Sequence, residues 1–111
     1  MAAVTAHVFK SSTGQPVIWP PVIVAKQNEQ VDIVNLTDDD IFVIYPQNVF
    51  AISNANSNKD PDKSGKAAKK GGKADKKVAS NADLGLHRFK VFCFETNSFA
   101  QGNSDPEFII E

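Results

Sequence analysis

"LHRFKVFCFE", residues 86–95, decides the fold of this 111-residue chain. His87, Phe89, Val91 and Cys93 fall on one side of it, and Arg88, Lys90, Phe92 and Phe94 on the other. A two-residue period is the signature of a β-strand, and β-branched and aromatic residues suit its pleated surface. The second side changes from charged to aromatic midway, so the strand is expected to enter the core along its later half.

The same reading extends in both directions. Downstream, "AQGNSDP" (100–106) is a turn region and "EFIIE" (107–111) a last strand. Upstream, "AVTAHVFK" (3–10) alternates, with Val4, Ala6 and Val8 against Thr5, His7 and Phe9, and "SSTGQP" (11–16) breaks it with Gly14 and Pro16. "VIWPPVIVAK" (17–26) is apolar, but Pro20 and Pro21 remove two backbone donors in succession. Two short strand pieces joined by a bend at a sheet edge follow from that. "QVDIVNL" (30–36), "IFVIYP" (41–46) and "VFAIS" (49–53) read as three more strands, separated by the "TDDD" turn at 37–40 and by Pro46. No window keeps a 3.6-residue period with caps. About seven short strands between turn signals predict an all-β sandwich in one domain, residues 1–111. The eight phenylalanines supply much of its core.

One segment departs from this pattern. Residues 55–82 hold eight of the 12 basic residues and three of the 13 acidic ones, so a basic segment sits on an acidic body. Within it, "GKAAKKGGKADKK" (65–77) has no apolar residue larger than alanine. Unpaired ammonium groups are costly to bury, and small side chains offset little ordering entropy. The sequence therefore predicts a flexible Lys-rich insertion at about 55–82, outside the packed body. Deleting residues 59–77 is expected to leave the fold intact.

"PPVIVAKQNEQVDIVNLTDDDIFVIYP" (20–46) resembles the first half of a cupredoxin-like domain, with a "V-x-I-x-N" strand, a turn and an apolar strand ending near a proline. "HRFKVFCFETNSFAQGNSDPEFIIE" (87–111) resembles that family's last two strands, with a cysteine near the end of the penultimate one. Together the two stretches cover about half of the chain. The resemblance implies a Greek-key sandwich, with an immunoglobulin-like sandwich as the other form. In copper cupredoxins an early histidine, a cysteine, a second histidine and usually a methionine bind the metal. Cys93 stands where the cysteine would, and Asp39 and Asp40 lie near the place of the first histidine. The loop after Cys93 has neither histidine nor methionine, and the chain's one methionine is Met1. The resemblance therefore implies the fold without the copper chemistry, and neither a metal nor another cofactor is expected.

Other sites are incomplete. "DPDKSG" (60–65) begins like a calcium loop, but its twelfth position is Gly71, where a bidentate glutamate is needed. "GKAAKKGGKA" lacks the spacing of a phosphate loop. Asp38, Asp39 and Asp40 read as a solvated turn. His7 and His87 would meet if the first and penultimate strands paired, and with Cys93 they form the ligand set of an atypical metal protein. Cys93, inside "VFCF", reads as a small buried hydrophobe. No acid/base pair or activated nucleophile is visible, so no enzyme is expected.

The leading expectation is a non-catalytic sandwich that acts through protein–protein contact or self-association, as a structural or assembly subunit. Trp19 is a candidate partner contact. The alternative is a polyanion binder, for nucleic acid or an anionic surface, through Lys66, Lys69, Lys70, Lys73, Lys76 and Lys77. With one cysteine the chain forms no internal disulfide. It has neither an evident signal peptide nor an apolar run long enough to span a membrane, which predicts a cytoplasmic location. Asn35-Leu36-Thr37 is a glycosylation sequon that matters only in a secreted protein.

Overall fold

The computed structural model describes residues 4–50, 65–100 and 106–111. Among them are eleven strands: β1 (Val4–Lys10), β2 (Pro16–Trp19), β3 (Val22–Ala25), β4 (Gln30–Asn35), β5 (Ile41–Ile44), β6 (Gly65–Ala68), β7 (Lys73–Lys77), β8 (Gly85–Arg88), β9 (Lys90–Cys93), β10 (Ser98–Phe99) and β11 (Glu107–Ile110). No helix among the described residues is long and apolar enough to cross a membrane.

The strands form two layers. The first is a sheet in the order β2-β1-β4-β7, with β1 and β4 parallel. The second combines β10-β9-β5-β6 with β3-β11-β8. Only Phe89 separates β8 from β9, so residues 85–93 act as one long strand that joins the two pieces. The chain changes layer at opposite edges. Between β2 and β3 it turns through Pro20 and Pro21, as the missing backbone donors require. Between β6 and β7 it turns through residues 69–72, where Gly71 takes a φ of 77° and Gly72 N–H donates to the Lys69 carbonyl at 2.7 Å.

Alternation sets the core. Ala6 and Val8 of β1, Ile18 of β2, Ile23 and Ala25 of β3, Val31 and Ile33 of β4, and Ile41 and Val43 of β5 face inward and are buried. From the long strand, Phe89, Val91 and Cys93 join them. This corrects one expectation: the inner side is that of His87, Phe89, Val91 and Cys93, while Phe92 and Phe94 face out. Tyr45, Phe50, Phe108 and Phe89 form a chain of ring contacts, with centroids 4.8, 5.0 and 4.1 Å apart in that order. The "VFAIS" strand is also corrected within the described residues. Val49 lies in a turn and Phe50 makes a single antiparallel bridge to Val78; residues 51–53 lie outside the described part.

The larger correction concerns the lysine segment. Residues 55–64 lie outside the described part, but 65–82 belong to the body and not to a loop beside it. β6 pairs with β5, and β7 pairs with β4, each at the edge of its layer. Ala68, Ala74, Val78, Ala79 and Ala82 are buried. Alanine is enough at these positions because an edge strand covers only the rim of the core. The ladder hydrogen bonds supply the rest of the ordering. Lysine is tolerated because its stem packs while its ammonium reaches water or a carboxylate. Lys66 lies opposite Val43 and Lys76 opposite Val31, so both stems start inward into the slot between the layers.

Candidate functional site

Residues directly opposite in a ladder share a face, so the register maps both outer surfaces. On the first layer, one row runs Trp19, His7, Val34, Lys73 and the next Thr5, Asp32, Asp75. Asp32 and Asp75 are neighbouring like charges, an unfavourable pairing by itself. Each has a lysine. Lys73 Nζ donates to Asp32 Oδ2 at 3.1 Å, and Gln30 Nε2 donates to Oδ1 at 2.8 Å. Lys66 Nζ crosses the open edge to donate to Asp75 Oδ1 at 2.8 Å and to its backbone carbonyl at 3.0 Å. The Lys66 bond holds the Asp75 carboxyl below its ordinary pKa.

The six candidate lysines are thus divided. Lys66 and Lys73 lie on internal aspartates, and Lys70 faces Asp38 at 3.5 Å. Lys76 Nζ sits 5.3 Å from the centre of the Tyr45 ring. Lys69 in the turn and Lys77 at the far end of β7 are exposed. Trp19 is 63% exposed, at the corner where the chain leaves β2. It flanks His7 and belongs to the polar face.

The second layer presents a different surface. Ala67, Phe42, Phe92 and Phe99 form one outward row across β6, β5, β9 and β10. Phe92 meets Phe94 and Phe99 edge-on, with centroids 5.1 and 5.2 Å apart. The Phe42 ring occupies the space that a Cβ at Gly65 would take, so glycine is what lets it lie there. Lys90 Nζ is 5.3 Å from the centre of the Phe99 ring. Further along, Val24, Ile109 and Leu86 form a second apolar row. Between the two lies the row Val22, Glu107, Arg88, whose charged members approach to 3.5 Å. Phe42, Phe94, Phe99, Val22, Val24 and Leu86 are all exposed. Sequence reading missed this surface because it assigned the aromatic half of the long strand to the core. The signal was present: Val91 and Cys93 already supplied an apolar side opposite Phe92 and Phe94.

Copper of the cupredoxin type needs two imidazoles and a thiolate together, and the chain has two histidines and one cysteine. These residues do not fit it. His7 is exposed on the outside of the first layer, opposite Trp19. His87 is on β8, opposite Phe108, and its Nε2 lies 2.8 Å from the Asp83 carbonyl oxygen. The strands carrying the histidines are in different layers, so the first and penultimate strands do not pair and the condition for the two imidazoles to meet is not fulfilled. Cys93 is fully buried between Ile41 and Ser98 in the ladder. Burial, helped by the charge of Glu95, pushes its thiol up to about 11. Among the described residues no three His, Cys, Asp or Glu side chains gather in a way that could hold a metal ion. Asp38, Asp39 and Asp40 are exposed. The sequon asparagine, Asn35, is buried, with both amide hydrogens donated to backbone carbonyls.

No protein-family model matches the chain. No curated protein sequence matches it either. Solved structures do. A copper nitrite reductase from Nitrosomonas europaea is similar at 12% identity and a TM-score of 0.50, over 98% of this chain and 48% of that one. A Cu(I) structure of an amicyanin mutant gives 14% identity and a TM-score of 0.49, over 98% of this chain and 82% of that one. The chain therefore spans about half of the reductase chain and most of the amicyanin. At these identities the likeness concerns the fold alone, and the fold is a cupredoxin-like β-sandwich.

Proposed function

We propose that this sandwich acts without catalysis, by binding another protein through the outer face of its second layer. One observation carries the reading. Phe92 meets Phe94 and Phe99 ring to ring, Phe42 lies opposite Phe92 in the same outward row, and three of the four are exposed. Aromatic side chains contribute most to interface energy because they bury a large area at small entropic cost. The charges sit between the aromatic and aliphatic rows, so the face has apolar ground on both sides of a polar strip. The test is a photo-crosslinking amino acid placed at position 94, with position 5 on the polar face as control. Irradiation in cells should give protein adducts from position 94 and few from position 5. Adducts only from position 5, or none from 94, would refute the reading.

The lysines support a polyanion contact less well. Lys66, Lys70 and Lys73 already face carboxylates, and Lys76 covers a ring. A phosphate would have to displace those partners.

A further inference from the structure

The outer face of the second layer carries two apolar rows together with three charged side chains, Arg88, Lys90 and Glu107. We propose that its partner is a second copy of this chain, packed face to face about a two-fold axis. This rests on the reading above and narrows it.

Three observations lead there. The first is shape. The rows Ala67-Phe42-Phe92-Phe99 and Val24-Ile109-Leu86 alternate with the strip Val22-Glu107-Arg88 across adjacent strands. A pleated surface of this kind fits another pleated surface, with side chains interdigitating between sheets about 10 Å apart. A helix or a small ligand asks for a groove.

The second is area. The exposed parts of Phe42, Phe94, Phe99, Val22, Val24 and Leu86 come to on the order of 500 Å², if a whole aromatic side chain is taken as roughly 200 Å². That is near the top of the range for the largest apolar patch of a monomer, about 300–600 Å². With the stems of Arg88 and Lys90 it approaches the ~800 Å² per partner of a stable interface.

The third is charge. The face carries Arg88, Lys90 and Glu107. Arg88 approaches Glu107 only to 3.5 Å within the chain, which leaves the carboxylate able to take a second cation, while Lys90 lies over the Phe99 ring. In an isologous pair each contact occurs twice. Lys90 then meets Glu107 of the partner subunit, and Lys90 of the partner subunit meets Glu107. A self-complementary face of this kind needs no second protein species.

Sedimentation velocity of the full chain tests it. A dimer is expected at about 100 µM, dissociating on dilution toward the low-micromolar range. Phe94→Ser with Phe99→Ser should weaken it at least tenfold, with the far-ultraviolet spectrum unchanged; Leu86→Glu, at a separate position, should do the same. Lys90→Glu should weaken the dimer, and Lys90→Glu combined with Glu107→Lys should recover most of the loss. A strict monomer at that concentration overturns the inference, and so does a dimer indifferent to both sets of surface variants. The crosslinks from position 94 separate the two levels. Adducts of twice the chain's mass support both. Adducts of another mass keep the face as a binding surface and overturn the second copy. Monomeric protein without adducts removes both.

Discussion

Asn35 uses every hydrogen-bonding position it has. Its Nδ2 donates to the carbonyls of Asp39 at 2.7 Å and Ala68 at 2.9 Å, and its Oδ1 accepts from the Thr37 N–H at 2.9 Å and the Thr37 hydroxyl at 2.6 Å. Its backbone bonds Gly71 and Gly72. One buried side chain thus ties β4, the 36–40 turn and β6 together. Asn35→Ala should cost roughly 2–4 kcal/mol, because several buried partners lose their bond at once. Urea unfolding with an unchanged midpoint would contradict that. Tyr45 is the opposite case. Its hydroxyl is buried with no hydrogen-bond partner among the described residues, and burial drives its pKa upward. Tyr45→Phe should therefore hold or raise stability, by up to about 1–2 kcal/mol; a clear loss in the same titration would mean the hydroxyl has a partner. Cys93, with its thiol pushed up to about 11, should resist alkylation in native protein at neutral pH and react once denatured. Equal rates in the two states would show that the core opens there.

At the scale of elements, β6 and β7 matter most. Removing residues 65–77 takes an edge strand from each layer and exposes Val43, Ile33 and Val31. Cooperative unfolding should be lost, and a sharp, native-like melting transition after that deletion would contradict the structure. Two ion pairs in this region and at the opposite end predict an acid response. Asp75 is held low by Lys66, and Glu95 is held low by Lys10, at 2.9 Å, and by the Asp38 N–H. A carboxyl with a depressed folded pKa contributes stability above its unfolded pKa and loses it as pH falls through the folded one. Stability should therefore decline below the ordinary carboxylate range. Asp75→Asn should flatten that decline, as followed by melting temperature against pH.

These elements also mark how far the sequence could be read. β1 and β4 were legible because their inward residues, Ala6, Val8, Val31 and Ile33, alternate with more polar outward ones such as Thr5, His7 and Asp32, and β5 because it is a short apolar run bounded by turns. β7, "KADKK", has the same alternation, with Ala74 inward and Lys73 and Asp75 outward. Its inward residues are too small, and its lysine at 76 too polar, to register as a pattern. What fixes it is the partner strand and the Lys66–Asp75 bond, and both are long-range facts. The aromatic face was obscured for the converse reason: Phe92 and Phe94 look like core by residue type, and only Cys93 and Val91 between and beside them say otherwise. The ligand question was legible in part: the loop after Cys93 visibly has neither histidine nor methionine, but only the fold shows that His7 and His87 lie in different layers.

The molecule as a whole has two unlike outer faces. Thr5, His7, Asp32, Lys73 and Asp75 lie on the outside of the first layer, with Trp19 exposed at its corner, whereas Phe, Val, Leu and Ile cover much of the second. An environment-sensitive apolar dye should therefore bind native protein and lose most of its signal on Phe94→Ser with Phe99→Ser. A signal unchanged by those substitutions would place the apolar surface elsewhere.

The pairing of β3 with β11 has a consequence in time. Val22–Ala25 and Glu107–Ile110 lie side by side, though more than eighty residues separate them in the chain. β8 depends on the same late strand. During synthesis the first layer's β2-β1-β4 ladder can form early, but one end of the second layer has no partner until Glu107–Ile110 leave the ribosome. For that interval Ile23 and Phe89 lack the cover of Phe108, and the growing chain offers two unpaired strand edges to its neighbours. Long-range closure of this kind places refolding in the millisecond-to-second range typical of β-sandwiches, and it makes the nascent chain most vulnerable to aggregation just before β11 becomes available.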